Sequence, residues 1–380
     1  MRILITLLLT AAMLTAPVFA LEPLGPDSFD LRCTAAVLME RETGTLLYAK
    51  NEHERLSPAS VTKVMTLLLV AEAVESGAVG AQDIVTASKR ASSMGGSQIW
   101  LREGEQMTVA EMTKCVAVVS ANDCAVALAE HLCGSEDAFT ARMNRRAAEL
   151  GMTDTHFTNC TGLLEDPDHY TSALDVALMS RELLGHAFVR QFTGIWTDTI
   201  RGGEFGLTNT NKLVRFYPDC TGLKTGFTSR DMFCLSASAM REGTEFISVI
   251  LHGETSQQRF DDARTLLDYA FANYALVTPQ TETLPAVPVR LGTAGSVGAV
   301  MGESASVVVE KALQNSLEVS VELPECVNAP VEAGERLGTL RLSSGGVTVA
   351  ETPLVAAESV PRTGLLPLWM RLVRILCGQA

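Results

Sequence analysis

Strand-like runs stand at both ends of residues 31–251, and most of the chain between them reads as helix. Residues 31–40 and 43–49 are β-favouring runs around a turn at Glu42-Thr43-Gly44. Residues 232–240 and 244–251 form a second such pair around Arg241-Glu242-Gly243, which reads as a hairpin. The helical signals begin with a long apolar run from Ser60 to about Gly77. Thr108-Val109-Ala110-Glu111 is a capping box that opens a helix through about Val119. Ser120-Ala121-Asn122-Asp123 interrupts it, and a second helix ends at Gly134. Further helices are expected at residues 136–150, 172–184 and 256–274. Strands at the two ends with helices between them predict an α+β domain whose antiparallel sheet joins N- and C-terminal segments, flanked by a helical subdomain. Past Val277 the texture changes. Residues 278–356 are rich in Val, Thr, Pro and Gly in short alternating runs, which predicts a small all-β domain.

The two termini carry signals of another kind. Arg2, the apolar run of residues 3–15 and the small-residue site Val18-Phe19-Ala20 read as an export signal over residues 1–20. At the other end Leu365, Leu368, Trp369, Leu372, Ile375 and Leu376 fall at helical spacing, with Arg371 and Arg374 on the opposite stripe. That segment is too short to cross a bilayer and reads as a helix lying on a membrane surface. The expected organisation is therefore a signal at 1–20, the α+β domain at 21–276, a β-rich domain at 277–357 and an amphipathic anchoring tail at 358–380. The expected location is the outer face of the cytoplasmic membrane. A net charge of −14 argues against a nucleic-acid partner. The nine cysteines include no Cys-x-x-Cys pair, so small buried hydrophobes are their expected role, with pairing left open. Cys115, Cys124 and Cys133 are nine apart, which in one helix would turn successive ones to opposite faces. The histidines are scattered without a His-x-x-x-His pair, and no metal or other cofactor is expected.

Three short motifs carry chemistry. Ser60-Val61-Thr62-Lys63 heads the first apolar helix and puts a hydroxyl and an amine on one face. A serine is a poor nucleophile until a neighbouring base takes its proton. Lys63 can be that base only if its pKa falls well below about 10.4, through burial or a nearby cation. Lys224 is the expected cation. Ser120-Ala121-Asn122 occupies a helix junction, and Lys224-Thr225-Gly226 precedes the hairpin. Each alone has a bland reading as a cap or a strand edge.

In this order the three motifs resemble those of penicillin-binding proteins and serine β-lactamases. The runs at residues 93–100, 151–157, 159–163 and 260–274 narrow the resemblance to D-alanyl-D-alanine carboxypeptidases, the low-molecular-mass penicillin-binding proteins. The resemblance implies a DD-peptidase/β-lactamase-like catalytic domain. It implies Ser60, Lys63 and Ser120 as catalytic residues, as nucleophile, base and proton relay. Asn122, Lys224, Thr225, Gly226 and Phe227 would bind substrate. Asn122 would hold both a substrate peptide group and the Lys63 amine, Lys224 and Thr225 the terminal carboxylate. Gly226 would let the strand approach the substrate, and the Ser60 and Phe227 N–H groups would form an oxyanion hole. The implied partners are a peptidoglycan stem peptide ending in D-Ala-D-Ala, β-lactam antibiotics and the membrane surface.

Two departures from the pattern touch the rim. Arg230-Asp231-Met232-Phe233 stands where relatives carry a smaller run, and Thr221 where an acid is common. A class A β-lactamase fits poorly, because Ser120-Ala121-Asn122 replaces Ser-Asp-Asn and no Leu-Asn pair occurs. A DD-endopeptidase would use the same residues, but the second domain favours the carboxypeptidase, and the intact set of motif side chains argues against a non-catalytic penicillin-binding wall protein.

Overall fold

The computed structural model describes residues 21–163, 166–279, 284–302 and 306–365, and beyond them Pro367, Trp369, Met370 and Val373. The export signal expected at 1–20 lies outside the described residues, as do Leu368, Arg371, Leu372 and the final residues 374–380 of the expected tail. The described chain divides into two units, Leu21–Leu276 and the residues from Val277 onward.

The first unit is built on a five-stranded antiparallel sheet. Its spatial order is Leu46–Lys50, Ala35–Glu40, Thr244–Gly253, Met232–Arg241 and Cys220–Thr228. Ala35 pairs with Leu251 and Glu40 with Phe246, so the N-terminal hairpin and the late hairpin share one sheet, as their patterns predict. Ala35–Glu40 is buried along its whole length rather than at alternate residues, because the sheet is covered on both faces. Helices Ala173–Leu183 and Ser256–Asn273 pack on it. Cys220–Thr228 is the edge strand, and its outer side is free to meet something other than a sheet neighbour.

Helix Lys63–Glu75 is buried at every residue from Lys63 to Ala71. A helix apolar all round belongs in the middle of a core, and each fully buried Leu or Val along it is worth roughly 1.5–3 kcal/mol. Helix Val109–Val119 starts at the expected capping box: Glu111 N–H donates to Thr108 Oγ1, and Thr108 N–H donates to the Glu111 carboxylate, both at 3.1 Å. It ends at Ser120, whose φ of +64° is a left-handed cap conformation. The next helix, Asn122–Cys133, ends on Gly134 at φ +80°.

The second unit is all β. Val347–Ala356 and Arg336–Ser344 pair along their length, with Ala299–Met301 on one side and Leu317–Glu322 on the other. A smaller sheet places Val287–Arg290 between Ser296–Val297 and Val327–Asn328. Val287, Val289, Val297 and Val331 form one apolar core, Leu340, Leu342 and Leu354 another. The eight described cysteines are free thiols, five of them buried. Cys115 and Cys124 do not share a helix, because the break at Ser120 separates them.

Candidate active site

Ser60 lies in a 3₁₀ turn, Ala59–Thr62, that runs straight into helix Lys63–Glu75. Lys63 Nζ donates to Ser60 Oγ at 2.9 Å and to the Thr161 carbonyl at 2.8 Å. The amine is fully buried, and burial pulls its pKa from 10.5 down to about 7. Asp123 and Cys160 pull the other way, and Lys224 is not among the causes. The expectation that Lys224 lowers Lys63 is therefore corrected: loss of water does it. The repulsion between the two lysines falls on Lys224 instead. Burial first, then Lys63 and Arg259, push Lys224 well below its ordinary value.

A loop at Asn159-Cys160-Thr161-Gly162 presents the acceptor for Lys63. Asn159 Oδ1 accepts from Thr161 N, Thr161 Oγ1 and Gly162 N at 2.7–3.1 Å, which curls the loop and aims the Thr161 carbonyl at the amine. Gly162 permits this. A Cβ there would stand 1.9 Å from Ala59 O and 2.5 Å from Thr62 Oγ1, at φ +67°. His169 braces the same turn. Thr158 N–H donates to His169 Nδ1 at 3.1 Å, so Nε2 carries the proton and donates to Thr62 Oγ1 at 2.8 Å. Thr62 Oγ1 in turn donates to Ala59 O at 2.8 Å. Burial holds His169 neutral, with its pKa pulled down to about 4.

Ser120 and Asn122 flank the helix break. Ser120 Oγ and Asn122 Oδ1 are both buried without a hydrogen-bond partner. Asn122 Nδ2 donates to Gly95 O at 2.7 Å, and Asn122 N–H to Ser97 O at 2.7 Å. The expected grip of Asn122 on Lys63 is not made: Asn122 Oδ1 has no partner, and Lys63 Nζ donates to Ser60 Oγ and the Thr161 carbonyl. What remains at the helix break is a carbonyl oxygen and a hydroxyl, both buried and unspent.

Lys224, Thr225, Gly226 and Phe227 lie on the edge strand Cys220–Thr228. A Cβ at Gly226 would stand 2.6 Å from Pro58 O and 3.1 Å from Ser60 N. Within the structure, the close approach this glycine allows is to the Ser60 turn itself. It sets the edge strand beside the Ser60 N–H. Phe227 is exposed and stacks on Phe233 at 4.4 Å. Thr225 Oγ1 donates to Thr210 Oγ1 at 2.7 Å. Arg259 Nη1 donates to the carbonyls of Gly226 at 2.9 Å and Cys234 at 3.2 Å, which pins the edge strand to the helix Ser256–Asn273. The acid absent at Thr221 is supplied in space: Thr221 Oγ1 donates to Glu245 at 2.7 Å from a strand two places away. Asp231 of the unusual rim is buried, and Met232 takes φ +53° beside it.

The structure joins Ser60 and Lys63 in one turn and sets Gly226, on the strand that carries Lys224, Thr225 and Phe227, against that turn, while Ser120 and Asn122 stand at the helix break. Sequence reasoning missed Asn159, Thr161, His169, Thr210 and Arg259. Only the loop at 159–163 left a trace, as part of the wider resemblance. Among the described residues one cluster has metal-ligand geometry, Glu72, Glu182 and His186. Arg146 already pairs with both of its carboxylates at 2.6 Å.

Comparison with known proteins agrees with this architecture. Residues 276–362 match the penicillin-binding protein 5 C-terminal domain. The chain is 39% identical to D-alanyl-D-alanine carboxypeptidase DacF of Bacillus subtilis, over 97% of each chain. It is 31% identical to D-alanyl-D-alanine carboxypeptidase DacC of Escherichia coli, over 87% of this chain and 84% of that one. The crystal structure of penicillin binding protein 5 from Haemophilus influenzae superposes with a TM-score of 0.80 at 28% identity, covering 88% of this chain and 99% of that one. Residues 22–255 match the D-alanyl-D-alanine carboxypeptidase family, and the chain belongs to that family.

Proposed function

We propose that this carboxypeptidase releases the terminal D-alanine of peptidoglycan stem peptides through an ester on Ser60. The observation that carries the reading is the buried Lys63 amine, 2.9 Å from Ser60 Oγ with a pKa near 7. At neutral pH about half of it is the free base, which is what a general base needs. Ser60 Oγ attacks the carbonyl between the two D-alanines while its proton passes to Lys63 Nζ. The tetrahedral oxyanion sits between the N–H groups of Ser60 and Phe227, and removing one such donor typically costs ~10²–10³ in rate. The C–N bond breaks as a proton passes through Ser120 to the leaving amine. Water, deprotonated by the same lysine, then opens the ester.

Substrate recognition follows from unspent groups. Neither Lys63 nor Lys224 forms an ion pair among the described residues. An ammonium that burial and a like charge disfavour is a receptor for an anion, and the substrate's terminal carboxylate supplies one beside Thr225. Asn122 Oδ1 is free for a substrate N–H. The open edge of Cys220–Thr228 can take the peptide as an added strand. β-Lactams present the same carboxylate and a strained amide to the same atoms.

The same reading makes residues 1–20 an export signal and 358–380 an anchor on the outer membrane face. In support, Leu365, Pro367, Trp369, Met370 and Val373 are helical, with Leu365 87% and Trp369 64% exposed. No helix among the described residues is long and apolar enough to cross a membrane. Deleting residues 362–380 should free the protein from lipid vesicles with turnover kept, and a truncated protein that still sediments with them refutes the anchor.

The deciding experiment is intact-protein mass spectrometry after penicillin, paired with D-alanine release from a pentapeptide ending in D-Ala-D-Ala. One acyl adduct on the wild type, none on Ser60→Ala, and stoichiometric D-alanine are expected. Full labelling of Ser60→Ala would show that another residue is the nucleophile. Cleavage of cross-linked dimers without D-alanine release would make the protein an endopeptidase.

A further inference from the structure

Trp100 is exposed to 65% and yet held in a left-handed conformation, φ +55°. A bulky side chain reaches that region only where its surroundings force it. Here the cause is visible. Both neighbours of Trp100 are buried, and both of their N–H groups donate to one buried carboxylate: Ile99 at 3.1 Å and Leu101 at 3.0 Å to Asp123 Oδ2. Clamping residues on either side leaves the residue between them bulged outward. Asp123 follows Asn122, and Asn122 N–H donates to Ser97 O in the same loop. The displayed indole is thus tied rigidly to the active-site junction.

The indole overlooks a groove of about 730 Å³. Phe205 meets its ring edge-on at 5.8 Å, and Arg201 lies over the Phe205 ring at 5.3 Å. Arg201 is fixed in turn by Glu105 at 2.8 Å and by the Ile99 carbonyl at 2.9 Å. Arg102, Glu103 and Glu204 complete the lining with charged ends. The groove is therefore an apolar ring face with a rim of planar hydrogen-bonding groups of both signs.

We infer that this groove binds the saccharide of the substrate, with an N-acetylated amino-sugar ring stacked on Trp100. A pyranose has the matching anatomy: an apolar C–H face and a rim of hydroxyl and amide groups. An ammonium side chain of the stem peptide fits less well, because two guanidinium groups already line the groove. The inference deepens the carboxypeptidase reading and rests on it. The sugar end of the stem docks on Trp100 while its D-Ala-D-Ala end reaches Ser60.

The test compares D-alanine release from a disaccharide-linked pentapeptide and from the same pentapeptide without sugar. Wild type, Trp100→Gly and Phe205→Ala are measured. Glycine suits φ +55° and removes the ring without breaking the loop. The wild type should prefer the glycosylated substrate roughly three- to tenfold in kcat/KM, as an aromatic contact supplies, and both variants should lose the preference. Turnover of the bare pentapeptide and labelling by penicillin, which carries no sugar, should stay within twofold. Equal loss on both substrates, or an intact preference in Trp100→Gly, overturns the inference. Saturation-transfer NMR with the free N-acetylglucosamine–N-acetylmuramic acid disaccharide gives a readout independent of turnover. A signal on the wild type that Trp100→Gly abolishes supports the groove, and no signal on the wild type overturns it. Absence of D-alanine release from either substrate, with the NMR signal intact, fails the carboxypeptidase reading alone.

Discussion

Replacing Lys63 by methionine should make the protein more stable and nearly inactive. The magnitude follows from the buried amine. A pKa of about 7 in the fold against 10.5 in the unfolded chain means that the unfolded state binds more protons between those values. Stability from this group is therefore greatest above pH 10.5 and falls as pH drops toward 7. At pH 7 the penalty is about 4 kcal/mol, since each pH step across that interval is worth about 1.4 kcal/mol. Methionine has nearly the same length and removes the penalty. It also leaves the Thr161 carbonyl without its donor, which costs about 1–3 kcal/mol. The net gain is about 1–3 kcal/mol, and Lys224 adds to it by losing a repelling neighbour. In a domain of this size that raises Tm by roughly 2–10 °C. Calorimetry of the full chain at pH 7 and pH 10 reads the effect. By pH 10 the penalty shrinks to about 1 kcal/mol and the advantage of the variant should vanish or reverse. Penicillin acylation should fall by ~10²–10⁴, the share of a general base. A variant less stable than wild type at pH 7, or an advantage equal at both pH values, refutes the account of Lys63 as a desolvated amine.

Acylation by penicillin should rise about tenfold per pH step below 7 and level off above it, because only neutral Lys63 accepts the Ser60 proton; stopped-flow acylation from pH 5 to 9 checks this. Gly162→Ala should lower Tm and slow acylation at least tenfold, through its contact with Ala59 O; Gly104→Ala, also at positive φ but in open space, should show only the ~1–2 kcal/mol backbone cost in calorimetry. His169→Ala should lower Tm by several degrees and slow acylation of Ser60, because Thr62 Oγ1 and Thr158 N–H each lose a buried partner worth about 1–3 kcal/mol; unchanged kinetics with a lowered Tm would limit His169 to stability.

The side chains proposed to do the chemistry are legible because such a reaction demands their types at fixed spacing. Ser60 and Lys63 are one turn apart, Ser120 and Asn122 bracket a visible helix break, and Lys224 to Gly226 precede a readable hairpin. The sheet was legible for a similar reason, since strand patterns at both ends of a helical stretch leave few ways to pair. What supports the site was not. The acceptor for Lys63 is a main-chain carbonyl, and every residue has one. The cause of its lowered pKa is burial, which no spacing reports, whereas Lys224 is a cation visible in the sequence. Glu245 fills the acid's place beside Thr221 from another strand, a substitution that exists only once the sheet is paired. The bulged conformation of Trp100 depends on where Asp123 points.

On the proposed mechanism, the buried Lys224 also accounts for the difference between a substrate and an inhibitor. Lys224 is held in a place where its charge is disfavoured until an anion arrives. In that mechanism the carboxylate that would stabilise Lys224 belongs, with the natural peptide, to the leaving D-alanine. Bond cleavage lets that product depart and empties the carboxylate site, leaving room for water at the ester. In a β-lactam the broken amide is part of a ring, so the leaving amine and its carboxylate remain tethered to the acyl group. On this reading the carboxylate stays on Lys224 and Thr225, and the charge that favoured acylation then retains the fragment that excludes water. In that mechanism the same electrostatic feature would speed the first half of the reaction for both ligands and slow the second half only for the cyclic one. Weakening it, as Thr225→Val would by removing a hydroxyl and leaving Lys224 in place, should shorten the life of the penicilloyl adduct relative to its rate of formation. An adduct lifetime unchanged in Thr225→Val, with acylation slowed, would show that the carboxylate contact acts in the first step alone.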